Sequence, residues 1–234
     1  MISAIKLRPQ DPEGSGTAGT GAARKGRGIV IQLVGVGGRE DLLAETPHVA
    51  FEDMAAVFRL VLSEGSGEEE GLTSLLVTGE VAAGIGKSAE ELYEEALSQL
   101  PSRCPAELLL LRDVIEREGG LALPDDARSV PMLAVTTEKR VYGASVILYP
   151  GVLEEVSERL GGSFFALPSS VHEFIALPDD GSACAEELGK MVFDINRKVV
   201  APEERLTDSV YRYDAEKRSF RRVWPEPGGG PSSA

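Results

Sequence analysis

The sequence predicts an α+β fold in which β-hairpins alternate with amphipathic helices. Three pairs of short apolar segments, each joined by a turn, follow one another between residues 132 and 223. Segments with apolar residues at helical spacing separate these pairs. Strands that are grouped in hairpins favour a mixed or antiparallel sheet packed by helices, and they argue against a doubly wound sheet.

The first half of the chain shows alternating strand and helix patterns. Residues 88–100 are predicted to form a helix, because Ser88 and Glu91 match a capping box. Further helices are expected at 39–45 and 106–117, and strands are expected at 29–36, 55–62 and 75–78.

The second half shows a sharper pattern. Hairpins are expected from 132–136 with 141–149, from 164–167 with 173–177, and from 210–213 with 219–223. Gly161 is a natural end for the helix that follows Pro150. The helix at 183–200 is expected to bury one apolar face, which is formed by Leu188, Met191, Val192, Ile195 and Val199.

Composition divides the chain into four parts. Residues 1–27 and 225–234 are rich in small residues without periodicity, and we expect flexible tails there. A loop near residue 120 separates an N-terminal α/β subdomain, residues 28–120, from a C-terminal α+β subdomain, residues 121–224.

Charge and cysteine content restrict the possible function classes. The net charge of −14 opposes binding to polyanions, so we expect neither nucleic acid nor a membrane surface as a partner. The two cysteines are far apart and form no disulfide framework. The sequence shows no signal peptide and no apolar run near the roughly 18 residues of a membrane span. We therefore expect a cytoplasmic protein.

Three segments, residues 42–62, 142–180 and 195–214, carry a resemblance to a known family. They resemble, in the same order, the uncharacterised bacterial domain-of-unknown-function family numbered fifty-six eighty-eight. The resemblance implies a bacterial cytosolic protein and supplies no activity. It covers the C-terminal two thirds of that family, whose longer N-terminal portion is expected to be missing here.

The candidate site residues are Ser169, Ser170, His172 and Glu173, at the tip of the second hairpin. A serine, a histidine and a carboxylate together could support nucleophilic or general acid–base chemistry. However, neighbouring strand residues point to opposite faces, so His172 and Glu173 should not reach one substrate. The structural alternative is a turn whose Ser and His side chains satisfy its own backbone.

No metal or cofactor site is expected. The two histidines, His48 and His172, have no ligand spacing with the cysteines. Residues 79–88 resemble a phosphate loop but carry Val81 where that pattern requires glycine, which favours a capped helix start.

Three weaker patterns have structural explanations. The glycines at 35–38 lack the spacing of a dinucleotide fingerprint and predict a tight turn. Cys104 and Cys184 lie near helix starts, where thiols can be reactive, although small buried or loop cysteines are commoner. Aromatic and arginine residues interleave at 211–224, as in binders of single-stranded nucleic acid, but an edge hairpin explains the same residues.

These observations lead to two functional hypotheses. The first is a non-enzymatic interaction or regulatory module, because a good core occurs without a catalytic constellation or cofactor loop. Its candidate partner is another protein, and the oligomeric state is left open. The alternative is a small enzyme or ligand-binding protein that uses the hairpin tip at residues 169–173.

Overall fold

Two antiparallel sheets organise the described part of the chain. The computed structural model describes residues 28–64, 72–119 and 131–225. Together with the helices around them, the sheets form an α+β fold, as the sequence predicts.

The first sheet is built around one long strand. Its strands are β1 (Ile29–Gly35), β2 (His48–Phe51), β3 (Met54–Glu64) and β4 (Leu72–Leu76). β3 pairs with β1 along one side, and on the other side it pairs first with β2 and then with β4. β1 is rich in β-branched residues and is buried except at Gln32, which suits a strand covered on both faces.

The second sheet has six strands in the order β10-β9-β7-β8-β6-β5, and all neighbours are antiparallel. The strands are β5 (Ala106–Leu110), β6 (Leu133–Thr137), β7 (Phe164–Leu167), β8 (Phe174–Pro178), β9 (Val210–Asp214) and β10 (Ser219–Trp224). The expected hairpins β7–β8 and β9–β10 are present.

Six α-helices and one 3-10 helix surround the sheets in the described residues. They are α1 (Glu40–Glu45), α2 (Gly79–Ile85), α3 (Ala89–Arg103), α4 (Leu111–Gly119), the 3-10 helix Gly143–Leu148, α5 (Val152–Leu160) and α6 (Ala185–Lys198). The capping box of Ser88 and Glu91 begins α3, and Gly161 ends α5 in a left-handed conformation.

One hydrophobic core is shared by both sheets. Phe58 of the first sheet belongs to the same buried cluster as Phe164, Phe174 and Tyr211 of the second sheet. Helix α3 adds Leu92, Ala96 and Leu100 to this cluster. A smaller cluster lies under α6 on the second sheet. The two sheets therefore depend on each other for burial.

Two predicted elements are wrong. Residues 141–149 contain the 3-10 helix and not a strand, and β6 pairs with β5 and β8. Gly143 to Ile147 are all buried. In a short run buried on all sides, the spacing of apolar and polar residues cannot distinguish a strand from a helix. The expected helix 106–117 splits into β5 and α4, because pairing with β6 outweighs the helix propensity of its Ala, Glu and Leu residues.

The buried face of α6 also differs from the expected one. Leu188 and Val192 are buried, but Gly189 and Asn196 complete the inward face. The ring of Trp224 packs against Gly189, and Asn196 Nδ2 donates to Asp208 Oδ1 over 2.7 Å. The other three apolar residues of the expected face therefore lie toward solvent, and 37–44% of the surface of each is exposed. They are Met191, Ile195 and Val199.

The division into subdomains stays a prediction. The expected boundary near residue 120 and the expected tail at residues 1–27 lie outside the described residues, as does all of 225–234 except Pro225. The second sheet takes β5 from the N-terminal side of that boundary and its other strands from the C-terminal side.

A linking segment, residues 203–209, connects the two sheets. The backbone N–H of Leu206 donates to the carbonyl of Ser169 over 3.0 Å, on the side of the second sheet. On the other side, Arg39 donates to two carbonyl groups of the segment. The Leu206 carbonyl also approaches Gly35 so closely that any Cβ at residue 35 would overlap with it.

Asp53 is the polar centre of this junction. It lies in the turn between β2 and β3, and its carboxylate is 3.5 Å from Arg222 Nη1. Three hydroxyl groups donate to the same carboxylate, from Thr207 (3.2 Å), Ser209 (2.7 Å) and Tyr211. Burial and the neighbouring carboxylate raise the pKa of Tyr211, so its hydroxyl stays protonated and keeps donating.

We predict that Asp53→Asn destabilises the protein by about 1–3 kcal/mol, because an uncharged amide is a weaker acceptor for three hydroxyl donors. The measurement is the free energy of unfolding in urea. Asp194→Asn is the matched control. Its ion pair with Lys198 is exposed, so it should change stability by less than about 0.5 kcal/mol. Equal effects of the two substitutions would contradict the role assigned to Asp53.

Candidate functional site

The connection between β7 and β8 holds the four residues that the sequence singled out. Ser170 is buried, and its hydroxyl oxygen accepts a hydrogen bond from the backbone N–H of His172 over 3.0 Å. The carbonyl of Ser169 accepts from Leu206. Glu173 is half-buried. Ser170 thus supports the turn in the way that the structural alternative expects.

His172 is the member of this group whose ring takes part in a larger arrangement. Its Nε2 atom is 3.7 Å from Glu204 Oε1, and its side chain is 16% exposed. Its ring stacks on Tyr142, with centroids 6.3 Å apart and planes inclined by 14°. Its carbonyl accepts a hydrogen bond from Thr136 Oγ1 over 2.7 Å, which fixes the backbone beneath the ring.

Tyr142 occupies a strained backbone position. Both Tyr142 and Arg140 have φ of 52°, the left-handed region, which costs about 1 kcal/mol for a residue other than glycine. Next to them, the backbone of Gly143 packs so tightly against His172 and Thr136 that a Cβ would overlap with both. Close packing therefore holds Tyr142 in the orientation that stacks it on His172.

Arg59 completes the arrangement from the first sheet. Its guanidinium carbon lies 5.3 Å from the centre of the Tyr142 ring. We call the surface formed by Arg59, Tyr142, His172 and Glu204 the Tyr142 face. Arg59 comes from β3, Tyr142 and His172 come from connections in the second sheet, and Glu204 comes from the linking segment.

Neutral groups hold the guanidinium of Arg59 in place. Its Nε donates to Ser74 Oγ over 2.8 Å and its Nη2 donates to the Ser74 carbonyl over 3.1 Å. Its Nη1 donates to Gln32 Oε1 over 3.2 Å. These neighbours lie on β4 and β1, on either side of β3, so the sheet itself orients the side chain.

A narrow pocket opens beside Tyr142. It is lined by Tyr142 and Lys139 and by apolar residues that include Val30 and Leu72, and it has room for little more than one water molecule. Val30 is the cross-strand partner of Arg59, so the pocket adjoins the Tyr142 face.

The inner wall of this pocket contains Cys104 and Tyr149. Burial raises the pKa of Tyr149, and Cys104 acts in the same direction. Cys104 is buried and Cys184 is the exposed N-cap of α6, and neither forms a disulfide. Cys104 belongs to the buried hydrophobic core, which is typical of a structural cysteine.

The ionisation of His172 depends on its burial. Burial lowers the pKa of His172, whereas the carboxylate of Glu204 and the backbone of Arg140 act in the opposite direction. Desolvation dominates, so the ring is neutral at neutral pH. A neutral ring stacks on Tyr142 without repelling Arg59, which lies over the same aromatic side chain.

The other motifs have mainly structural roles. Residues 79–85, which resemble a phosphate loop, form helix α2, capped by the hydroxyl of Thr78, and Lys87 pairs with Glu95. Tyr211 and Tyr213 are buried, so these two rings cannot stack on nucleic-acid bases. Among the described residues, no group of three or more His, Cys, Asp or Glu side chains is placed to hold a metal ion.

Sequence reasoning missed Arg59, Tyr142 and Glu204. One signal was present: each of the three family-like segments contributes to the Tyr142 face. Arg59 lies in 42–62, Tyr142 lies in 142–180 and Glu204 lies in 195–214. Sequence distance hid their association. Glu204 meets His172 through the pairing of the linking segment with the β7–β8 connection, and Arg59 meets Tyr142 where the two sheets share their core.

The chain is thus an α+β protein with two antiparallel sheets, and the Tyr142 face takes its side chains from both halves of the fold. A family model matches residues 22–215, so the chain belongs to a family of unknown function, DUF5688. This confirms the resemblance seen in the sequence. No curated protein and no solved structure matches the chain. Within the described residues, no helix has the length and apolarity required to cross a membrane.

We predict that His172 makes stability fall as the solution is acidified below about pH 6.5. The pKa of His172 is lowered in the native state, so the unfolded chain binds the proton first and acidification favours unfolding. The slope from this residue is at most about 1.4 kcal/mol per pH unit. The measurement is urea unfolding of the wild type and of His172→Gln at several pH values. Parallel profiles would contradict the prediction.

We also predict that Gly143→Ala destabilises the protein by at least about 2 kcal/mol, because the new methyl group overlaps with the His172 carbonyl and the backbone of Thr137. Gly84→Ala is the control. Gly84 lies inside α2 with open space around it, so alanine should stabilise the protein by up to about 1 kcal/mol. Thermal unfolding of both variants checks the difference, and a neutral Gly143→Ala would refute the tight packing.

Proposed function

We propose that this chain is a non-enzymatic binding module of the bacterial cytoplasm that recognises its partner through the Tyr142 face. The observation that carries the proposal is the stacked arrangement of Arg59, Tyr142 and His172. These side chains come from separate parts of the chain and are half-buried, so part of each is open to a partner.

The composition and rigidity of the face suit recognition. Tyrosine and arginine are the residue types most enriched where binding energy concentrates. Arg59 is held by three hydrogen bonds, and the Tyr142 ring is stacked on His172 with Arg59 over it, so little side-chain freedom is left to lose on binding. The left-handed backbone of Tyr142 supports the same conclusion, because such strain clusters at functional sites.

The alternative, a small enzyme at residues 169–173, has less support. The hydroxyl of Ser170 is buried and accepts from the backbone of His172, so it is not directed at a substrate. The His172 ring faces Glu204 and Tyr142. A nucleophile needs a base within hydrogen-bond reach, and among the described residues neither serine hydroxyl forms a hydrogen bond with the His172 ring.

The proposal is tested by the amide NMR spectrum of the full chain in a bacterial extract that has been separated into small molecules and macromolecules. We expect one fraction to shift resonances of the Tyr142 face. Tyr142→Asn should abolish these shifts, because asparagine tolerates the left-handed backbone but lacks the ring. Met191→Ser, on helix α6 and 44% exposed, is the control and should leave them unchanged.

Two outcomes would contradict the proposal. Shifts that persist in Tyr142→Asn would place binding elsewhere on the protein. Steady consumption of a component of the extract, lost in His172→Ala or Glu173→Gln, would establish the enzyme alternative.

A further inference from the structure

Among the half-buried arginines of the described strands, Arg59 is the one whose partners are all neutral. Arg212 of β9 pairs with Asp179 and Asp214, and Arg222 of β10 lies 3.5 Å from Asp53. Arg59 is also half-buried, yet no carboxylate of the described residues lies within ion-pair distance of it. In a chain of net charge −14, carboxylates are abundant, so an uncompensated guanidinium stands out.

The hydrogen bonds of Arg59 leave capacity for a ligand. A guanidinium has five N–H groups. Nε, Nη1 and Nη2 each use one of them on Ser74 or Gln32. One N–H on each of Nη1 and Nη2 therefore remains, and two N–H groups on these nitrogens match the two oxygens of a carboxylate. The neutral partners fix the side chain without neutralising its charge.

The surroundings of Arg59 restrict the anion. Arg59 contributes a positive charge to the Tyr142 face, whereas Glu204 on the same face repels anions. A monoanion suits this balance better than a phosphate dianion. The pocket, bordered by Val30 and Leu72, accepts only a group of about the size of one water molecule or a methyl group.

We propose that Arg59 binds a carboxylate in a bidentate manner, and that the small apolar group next to that carboxylate enters the pocket beside Tyr142. This inference rests on the proposed function and names the ligand chemistry of the same face. The carboxylate comes either from a small organic acid or from an acidic side chain or C-terminus of a protein partner.

The test is an NMR titration of the full chain with sodium propionate, with sodium chloride and inorganic phosphate as comparisons at a matched ionic strength of about 0.15 M. We expect propionate, whose terminal methyl group has the size that the pocket accepts, to shift the resonances of the Tyr142 face in a saturable manner and more strongly than phosphate. If propionate competes with an extract fraction for the same resonances, the ligand in that fraction carries the carboxylate. The fraction that is displaced, small molecules or macromolecules, then identifies its source.

Two substitutions at Arg59 separate charge from geometry. Arg59→Lys keeps the charge and loses the paired N–H groups, and Arg59→Gln loses both. Both should raise the Kd of propionate at least about tenfold. Arg159→Gln removes a half-exposed positive charge from α5 and should change the Kd less than about twofold. Thermal unfolding identifies an Arg59 variant that is not folded. In that case, the Kd of the other Arg59 variant tests the inference.

Three outcomes would overturn the inference: no saturable response to propionate, wild-type affinity in Arg59→Lys, or tighter binding of phosphate. If the extract still shifts the Tyr142 face in these cases, the binding module stands and its ligand belongs to another class. If neither the extract nor propionate shifts the face, both proposals fail.

Discussion

The carboxylate of Asp53 is the contact on which the rest of the structure depends. It receives hydrogen bonds from three hydroxyl groups that approach with β9 and the linking segment, and it faces Arg222 of β10. One acceptor thereby ties the turn of the first sheet to the edge of the second. Because the Tyr142 face takes its residues from both sheets, its geometry is set by this junction and by the core that the sheets share.

Electrostatics in this acidic protein are local. Arg212 and Arg222 are neutralised by neighbouring carboxylates, as expected for half-buried cations. Arg59 is held by Ser74 and Gln32, which orient it without reducing its charge. Beyond the roughly 8 Å over which physiological salt screens charges, the net charge of the chain has little influence on an anion at this face. A site that binds one small anion is thus compatible with a net negative charge that opposes the binding of polyanions.

Elements with strong local signals could be predicted from the sequence, and elements decided by tertiary pairing could not. The capping box of Ser88, the C-cap Gly161 and two hairpins act within a few residues, so sequence patterns predict them. Residues 143–148 form a 3-10 helix because they must fit between β6 and the β7–β8 connection. Sequence periodicity carries no information about that fit. His172 was recognised as a candidate, but Glu204, which lies beside its ring, and Arg59, which lies over the stacked Tyr142, are far away in the sequence.

The position of the linking segment has a consequence for biosynthesis. The strands of the first sheet end at Leu76, whereas Glu204 and the donors to Asp53 follow much later in the sequence and leave the ribosome after them. During translation the early turn carries a carboxylate without its hydroxyl partners, and contacts across such separations form late. The Tyr142 face therefore assembles only after Glu204 has been synthesised, so a product that terminates before residue 204 lacks one of the four residues of this face.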